Sequence, residues 1–168
     1  MKKYYKYKVK IDKVDGLHLL ELDEEFYCCR AIFIDEHGSY TTNFIKNDDD
    51  RYYLPEGNLE EAISSFQVIP KSVFDMTWSN ALKLCSEDWS KHKKEIAKKN
   101  QIFKGYIVCF YPQGVIVNIG FKYFGIIDYE RCLEVVGKHQ MYPGHHFKCE
   151  VADFDDENMW FQLKAFTT

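Results

Sequence analysis

Five short runs of strand-forming residues lie in the second half of the sequence, and this pattern constrains the fold more than any other feature. The first two runs, within GYIVCFYPQGVIVNIG at residues 105–120, flank a Tyr-Pro-Gln-Gly turn. Five short strands so close together favour a small closed barrel, because closure leaves no exposed sheet edge. The predicted strands lie at residues 103–111, 115–119, 123–128, 146–154 and 159–166.

Alternation along these strands predicts which side chains fill the barrel. Residues two apart on a strand point to the same face, so one set turns inward and the other outward. Gly114 allows the chain to turn between the first two strands without a clash at Cβ. The side chains predicted to face inward are Ile107, Phe110, Val117, Ile119, Phe147, Cys149 and Val151.

The first half of the sequence is typical of an α+β domain. A turn sequence, DEHGS, separates the last two of its predicted strands, which lie at residues 4–11, 17–22, 25–34 and 40–45. The segment KNDDDR at 46–51 is predicted to be an exposed loop, because its acidic residues lack the order of a calcium-binding loop.

Two helices are predicted after this loop. Asn58 as N-cap and Glu61 as its reciprocal partner indicate a short helix, and Pro70 introduces a longer one. The long helix carries an apolar stripe that we interpret as core, although its tryptophans could alternatively form a ligand platform. This stripe comprises Phe74, Trp78, Ala81, Leu82, Cys85 and Trp89. Lysines at the end of the helix suit the negative pole of its dipole, and contact with RNA phosphates is the alternative.

The sequence divides into two predicted domains after this helix. Strand composition resumes at Ile102, which places an α+β domain at residues 1–100 and a β domain at 101–168. Residues 1–97 carry 14 basic and 18 acidic side chains, whereas residues 98–168 carry 8 of each.

Charge and composition narrow the classes of partner. The formal net charge is -4, which argues against non-specific nucleic-acid binding and fits a protein partner with a basic surface. No run of residues approaches the length of a membrane span, and the start lacks a secretory signal. We therefore expect no membrane partner and a cytoplasmic location, with the six cysteines reduced.

Glycines and apolar residues recur in the second half in a fixed order. They are Gly105, Ile107, Phe110, Gly114 and Val117, then Gly125, Ile126 and Ile127, then Gly144, Phe147, Cys149, Val151, Asp155 and Leu163. This order resembles the S-one RNA-binding domain, a family of the OB-fold class named after a ribosomal protein, over residues 102–166. The resemblance implies that an all-β, five-stranded OB-fold barrel follows the α+β domain and binds single-stranded RNA.

The resemblance also implies where a nucleic acid would bind. OB-fold barrels stack bases on aromatic rings over their second and third strands. At four positions where the family carries two Phe, a His and an Arg, this chain instead has Gln113, Ile116, Asp128 and Trp160. Nearby rings and lysines would compensate, namely Lys104, Tyr106, Tyr111, Lys122 and Tyr123. These nine residues form the predicted site, and the departures imply weak or atypical binding.

Two other interpretations remain open. One is an acidic protein-binding module, such as an immunity or inhibitor protein that neutralises a basic toxin or nuclease. Acidic residues of the first domain would steer that partner, namely Asp48, Asp49, Asp50, Glu60 and Glu61. The other is a barrel that only packs on the long helix, so that the whole chain is one structural unit.

No motif in the sequence carries catalytic chemistry. It contains no nucleophile elbow, phosphate-binding glycine loop or H-E-x-x-H sequence. His145, His146 and Cys149, with His139 upstream, do not form a converging set, because adjacent residues of a strand face opposite ways. We therefore predict a non-enzymatic protein that needs no cofactor or metal.

Overall fold

The computed structural model describes residues 1–11, 13–44, 54–97 and 101–166. The strands within these residues are β1 (Lys3–Ile11), β2 (Val14–Leu22), β3 (Cys28–Asp35), β4 (Tyr40–Thr42), β5 (Gln67–Val68), β6 (Ile102–Tyr111), β7 (Gly114–Asn118), β8 (Gly125–Ile127), β9 (His146–Asp155) and β10 (Trp160–Phe166). The helices are α1 (Lys71–Ala97) and α2 (Tyr129–Val136), with 3-10 turns at Ala62–Ser65 and Lys138–Gln140. None of the described helices is long and apolar enough to span a bilayer.

The described residues group into two compact units. The first contains residues 1–43 and 54–84, and the second contains Phe44 and residues 85–166. This division falls inside α1, upstream of the boundary predicted between residues 100 and 101. Helix α1 therefore supplies residues 71–84 to the first unit and residues 85–97 to the second.

An antiparallel sheet with the strand order β4-β3-β2-β1-β5 forms the centre of the first unit. A buried cluster of Tyr5, Leu20, Leu22, Cys28 and Ala31 packs under residues of the segment 54–66. Elsewhere on the sheet, the Tyr4 ring lies 5.5 Å from the ring of Phe74 on α1. The guanidinium of Arg30 lies over Phe74 and Trp78, at 5.1 and 5.0 Å from their ring centres.

Two predictions for the first unit differ from the observed structure. The third strand begins at Cys28 rather than at residue 25, because Asp23 Oδ1 accepts hydrogen bonds from the amides of Glu25 and Tyr27 and forms a turn. The predicted short helix is a single 3-10 turn. Asn58 Oδ1 accepts from the amide of Glu60 instead of capping a helix at Glu61. The loop predicted at 46–51 lies outside the described residues.

A closed five-stranded barrel forms the second unit and confirms the predicted closure. Its strand order is β10-β8-β7-β6-β9, closed by the pairing of β9 with β10. All neighbours are antiparallel except β8 and β10, which are parallel. The third strand is shorter than predicted, since Asp128 leaves the strand and caps α2 by accepting a hydrogen bond from the amide of Arg131 at 3.0 Å.

The interior of the barrel follows the predicted alternation in most positions. Ile107, Val117, Ile119, Phe147 and Cys149 are buried, whereas Phe110 and Val151 are only half-buried. Gly114 has a φ of +142°, and a Cβ at this position would lie 2.6 Å from the carbonyl oxygen of Ile127. The turn between β6 and β7 therefore requires glycine for its backbone angle and for the close approach of β8.

The second half of α1 packs on the barrel within the second unit. The Trp89 ring lies 4.9 Å from Tyr123 and 5.0 Å from Phe161, and its Nε1 donates to Asp156 Oδ1 at 2.7 Å. Trp89 is buried here, as Trp78 is in the first unit. Both tryptophans of the apolar stripe are therefore core residues, as the helical spacing predicts.

Candidate functional site

One cleft on the barrel is basic and lined by aromatic rings, and we call it the lysine cleft. It has a volume of about 590 Å³ and lies where β6, the end of β7 and the start of β9 meet. Its lining residues are Lys104, Tyr106, Asn118, Ile119, Gly120, Phe121, Lys122 and His146. Three of the nine predicted site residues lie in it, namely Lys104, Tyr106 and Lys122.

Pairing between the strands fixes the centre of the lysine cleft. Tyr106 pairs with Asn118 on β7 and with His146 on β9. Asn118 Nδ2 donates to the Tyr106 hydroxyl at 2.8 Å, and Asn118 Oδ1 accepts from the amide of Gly120 at 2.8 Å. The Tyr106 and His146 rings contact edge to face, with centres 5.4 Å apart. The Tyr106 ring is therefore held in a defined orientation at the cleft wall.

The charge of the lysine cleft is positive. Its described lining residues include two lysines and no carboxylate, and Lys104 is exposed. The Nζ atom of Lys122 lies 3.2 Å from Asp88 Oδ2, but nearly half of the Lys122 side chain remains exposed. Burial acts to raise the pKa of Asp88, but hydrogen bonds from Tyr123 and Lys122 outweigh it and lower this pKa. Asp88 thus stays ionised and forms a partly exposed ion pair with Lys122.

A second cleft, which we call the amide cleft, lies beside β8. It has a volume of about 430 Å³ and is bordered by the β6–β7 turn and the β9–β10 turn. Its lining residues are Gln113, Ile126, Ile127, Asp128, Arg131, Asp155, Asn158, Trp160, Gln162 and Leu163. Gln113, Asp128 and Trp160 come from three separate segments, and the structure brings these predicted site residues into one cleft.

Several polar groups of the amide cleft are buried and have no hydrogen-bond partner in the described part of the chain. Trp160 is only 3% exposed, and its Nε1 finds no hydrogen-bond partner among the described residues. The Nε2 and Oε1 atoms of Gln113 are likewise buried and unpaired within the described part of the chain. Buried polar groups are normally hydrogen-bonded, so these atoms are available to a ligand that enters the cleft.

The carboxylates of the amide cleft are fixed by the backbone. Asp128 caps α2, and Asp155 Oδ1 accepts from the amides of Glu157 and Asn158, both at 3.0 Å. Asp155 Oδ2 also accepts from Asn158 Nδ2 at 2.9 Å. Among the described residues that line the cleft, Asp128 and Asp155 are negatively charged and Arg131 is positively charged.

The remaining three predicted residues line neither cleft. Ile116 and Tyr123, which were predicted to take part in nucleic-acid binding, are fully buried. The ring of Tyr123 packs against Trp89, and its hydroxyl donates to Asp88 at 2.9 Å. Burial, and then this hydrogen bond, raise the pKa of Tyr123. Tyr111 is half-buried at the end of β6. Of the nine predicted site residues, three therefore line the lysine cleft, three line the amide cleft and three line neither.

Sequence reasoning missed several residues of the two clefts. Asn118, Phe121 and His146 join the lysine cleft, and Arg131 and Gln162 join the amide cleft. The antiparallel register of β6 could have indicated Asn118 and His146, because both pair with Tyr106. Phe121 and Arg131 follow strand ends, where sequence spacing carries no information on direction.

The other polar residues considered in the sequence do not converge. Cys149 is buried, and burial raises the pKa of its thiol to about 12, while His146 is exposed. No group of three potential metal ligands occurs among the described residues. Glu60 and Glu61 are exposed, whereas Asp48, Asp49 and Asp50 lie outside the described residues.

A larger cleft, of about 700 Å³, lies in the first unit at one end of the sheet. Its walls include Val9, Leu17 and Ile34, and the charges at its rim include an ion pair of Lys10 with Asp15 at 3.3 Å. It has volume without a converging set of unpaired polar groups on the described residues, so the two barrel clefts are the stronger candidates.

No model of a protein family matches the chain. No curated protein matches its sequence either.

Proposed function

We propose that this chain is a non-enzymatic binding protein whose barrel is an OB-fold related to the S-one domain. The strand order, the single parallel pair and the position of α2 between the third and fourth barrel strands support this assignment. Under this proposal the sheet and helix of residues 1–100 form an accompanying α+β domain.

We further propose that the lysine cleft binds single-stranded RNA or another single-stranded nucleic acid. The observation that carries this proposal is the combination of Lys104 and Lys122 with the rings of Tyr106, Phe121 and His146. Proteins that bind single strands use a positively charged groove to follow the backbone and aromatic side chains to stack bases. The lysine cleft offers both kinds of group.

The proposed binding is weak and depends on salt. Lys104 neutralises one phosphate, and Lys122, which also pairs with Asp88, adds at most one more. The logarithm of the association constant should therefore fall against the logarithm of the salt concentration with a slope between about -0.7 and about -1.4. Aromatic stacking contributes about 1–3 kcal/mol per base. The net charge of -4 opposes polyanions elsewhere on the molecule, so we expect dissociation constants of about 1–100 μM.

Fluorescence anisotropy with a labelled oligouridylate of about 10 nucleotides, in about 50 mM salt, tests this function. We expect Lys104→Ala combined with Lys122→Ala to weaken binding by at least about tenfold, because both phosphate contacts are removed. The matched control is Lys138→Ala with Lys164→Ala, which removes the same charge from exposed positions outside the cleft.

Two results would contradict the proposal. One is the absence of wild-type binding tighter than about 100 μM, near the weak limit of non-specific affinity. The other is an equal loss of affinity in the cleft variant and in the control variant, which would indicate attraction by overall charge alone. Thermal unfolding of both variants establishes that they are folded before the affinities are compared.

A further inference from the structure

The amide cleft contains hydrogen-bonding groups that the fold itself does not use. Gln113 offers one acceptor and one donor group, and the Trp160 indole offers a donor, all buried and unpaired among the described residues. Trp160 as a whole residue is 3% exposed and therefore 97% buried. A peptide group has one N–H and one C=O, and is therefore a matching partner for a glutamine amide with a neighbouring indole N–H.

The charge of the same cleft selects against phosphate and favours a cation. Asp128 and Asp155 outnumber Arg131 in the lining, and Asp128 is exposed to solvent. Both carboxylates are held by backbone amides, so they keep their positions when a ligand approaches. Two further acidic residues, Glu130 and Glu157, are adjacent in sequence to lining residues and are exposed.

The topology explains why side chains, and not a strand edge, would have to form hydrogen bonds with the backbone of a peptide ligand. Strand β8 pairs with β7 on one side and with β10 on the other, and the barrel is closed. A peptide therefore cannot extend the sheet as an added strand beside β8. A side-chain amide in the neighbouring turn supplies the hydrogen bonds that a free strand edge would otherwise provide.

We propose that the amide cleft binds an extended, lysine- or arginine-containing segment of a partner protein. The Gln113 amide pairs with one peptide group of the segment, Trp160 Nε1 donates to a peptide carbonyl, and Asp128 pairs with the basic side chain. This site is separate in its residues from the lysine cleft, so the proposal goes beyond nucleic-acid binding and does not depend on it.

A labelled short peptide of alternating lysine and serine is the probe, and the same peptide with glutamate in place of lysine is its counterpart. Anisotropy titration of the full chain is expected to detect the lysine peptide and to show at least about tenfold weaker binding of the glutamate peptide. The lysine peptide should also bind less tightly as salt rises, because its charges are screened.

Three variants test the assigned contacts. Gln113→Leu removes the amide at nearly constant size, and Trp160→Phe removes the indole N–H but keeps an aromatic ring. Asp128→Asn removes the charge but keeps a capping side chain for α2. Each is expected to weaken binding of the lysine peptide by about threefold to tenfold. The matched controls Gln140→Leu and Asp153→Asn change exposed residues outside the cleft and should bind as the wild type does.

The proposal is overturned if the two peptides bind equally, or if all three cleft variants bind the lysine peptide like wild type. It is also overturned if the oligouridylate competes with the peptide and loses affinity in Gln113→Leu, since the cleft would then hold nucleic acid. The Lys104→Ala, Lys122→Ala double variant should bind the lysine peptide normally. Its failure to bind RNA would thus be distinguishable from failure of the amide cleft. Thermal midpoints within a few degrees of wild type establish folding of each variant.

Discussion

At the scale of single residues, the first unit buries two titratable side chains, of which one is ionised and the other is neutral. Glu21 is fully buried, and it accepts hydrogen bonds from the Arg30 guanidinium and, at 2.6 Å, from Lys2 Nζ. Burial acts to raise its pKa, but these partners outweigh burial and lower it. His18 is also buried, and burial lowers its pKa to about 4. The core thus holds an ionised Glu21 and a neutral His18.

We expect the neutral His18 to make stability depend on pH between about 6.5 and 4. In this range the unfolded chain protonates His18 and the folded chain does not, so the free energy of unfolding falls as pH falls, by up to about 3 kcal/mol. Glu21 contributes stability above its ordinary pKa of 4.5 and loses it only below that value. Urea unfolding of wild type and of His18→Gln at several pH values measures the difference.

The pH dependence of the free energy of unfolding should differ between the variant and the wild type mainly between about pH 6.5 and 4.5, above the range in which Glu21 contributes. His18→Gln removes the titrating ring and should flatten the stability profile there. Equal slopes for both proteins would show that His18 is not the group responsible. The hydroxyl of Tyr7 lies 2.7 Å from His18 Nδ1, so Tyr7→Phe is a useful companion that perturbs the ring's partner without removing the ring.

At the scale of secondary-structure elements, long elements with a repeating pattern were more predictable from the sequence than short elements and turns. Alternation and β-branched residues located all five barrel strands because these properties repeat along each strand. Helix α2 was not predicted, since its eight residues offer too short a window for helical periodicity. The clefts were predicted only in part. Strand register and the turns after strand ends bring their residues together, and neither can be predicted from the spacing of residues along the sequence.

The N-terminus of α2 provides a prediction at this scale. Asp128 Oδ1 accepts a hydrogen bond from the amide of Arg131, so Asp128→Ala should lower the free energy of unfolding by about 1 kcal/mol. Asp128→Asn should be close to wild type, because asparagine caps helices about as well as aspartate. Urea unfolding of the two variants measures this. An equal loss in both would attribute the effect to charge and not to the cap.

At the scale of the whole molecule, the division into compact units places the end of α1 with the barrel. Trp89 contacts Tyr123 and Phe161, and Lys93 Nζ lies 2.6 Å from Asp156 Oδ1. The indole contacts bury a large apolar surface, whereas the partly exposed ion pair adds little. The sequence boundary at residue 100 separates the barrel from this helical segment, so a fragment cut at that boundary loses the packing of Trp89.

We expect a fragment of residues 85–168 to be more stable than a fragment of residues 101–168. Removing residues 85–100 deletes the Trp89 side chain, and loss of a buried tryptophan costs about 3–5 kcal/mol. Urea unfolding followed by far-ultraviolet circular dichroism compares the two fragments, with Trp89→Ala in the longer fragment as the matched control. The free energy of unfolding of that control should fall most of the way towards the value for the shorter fragment. If the shorter fragment unfolds at the same urea concentration as the longer one, residues 85–97 are not an integral part of the barrel unit.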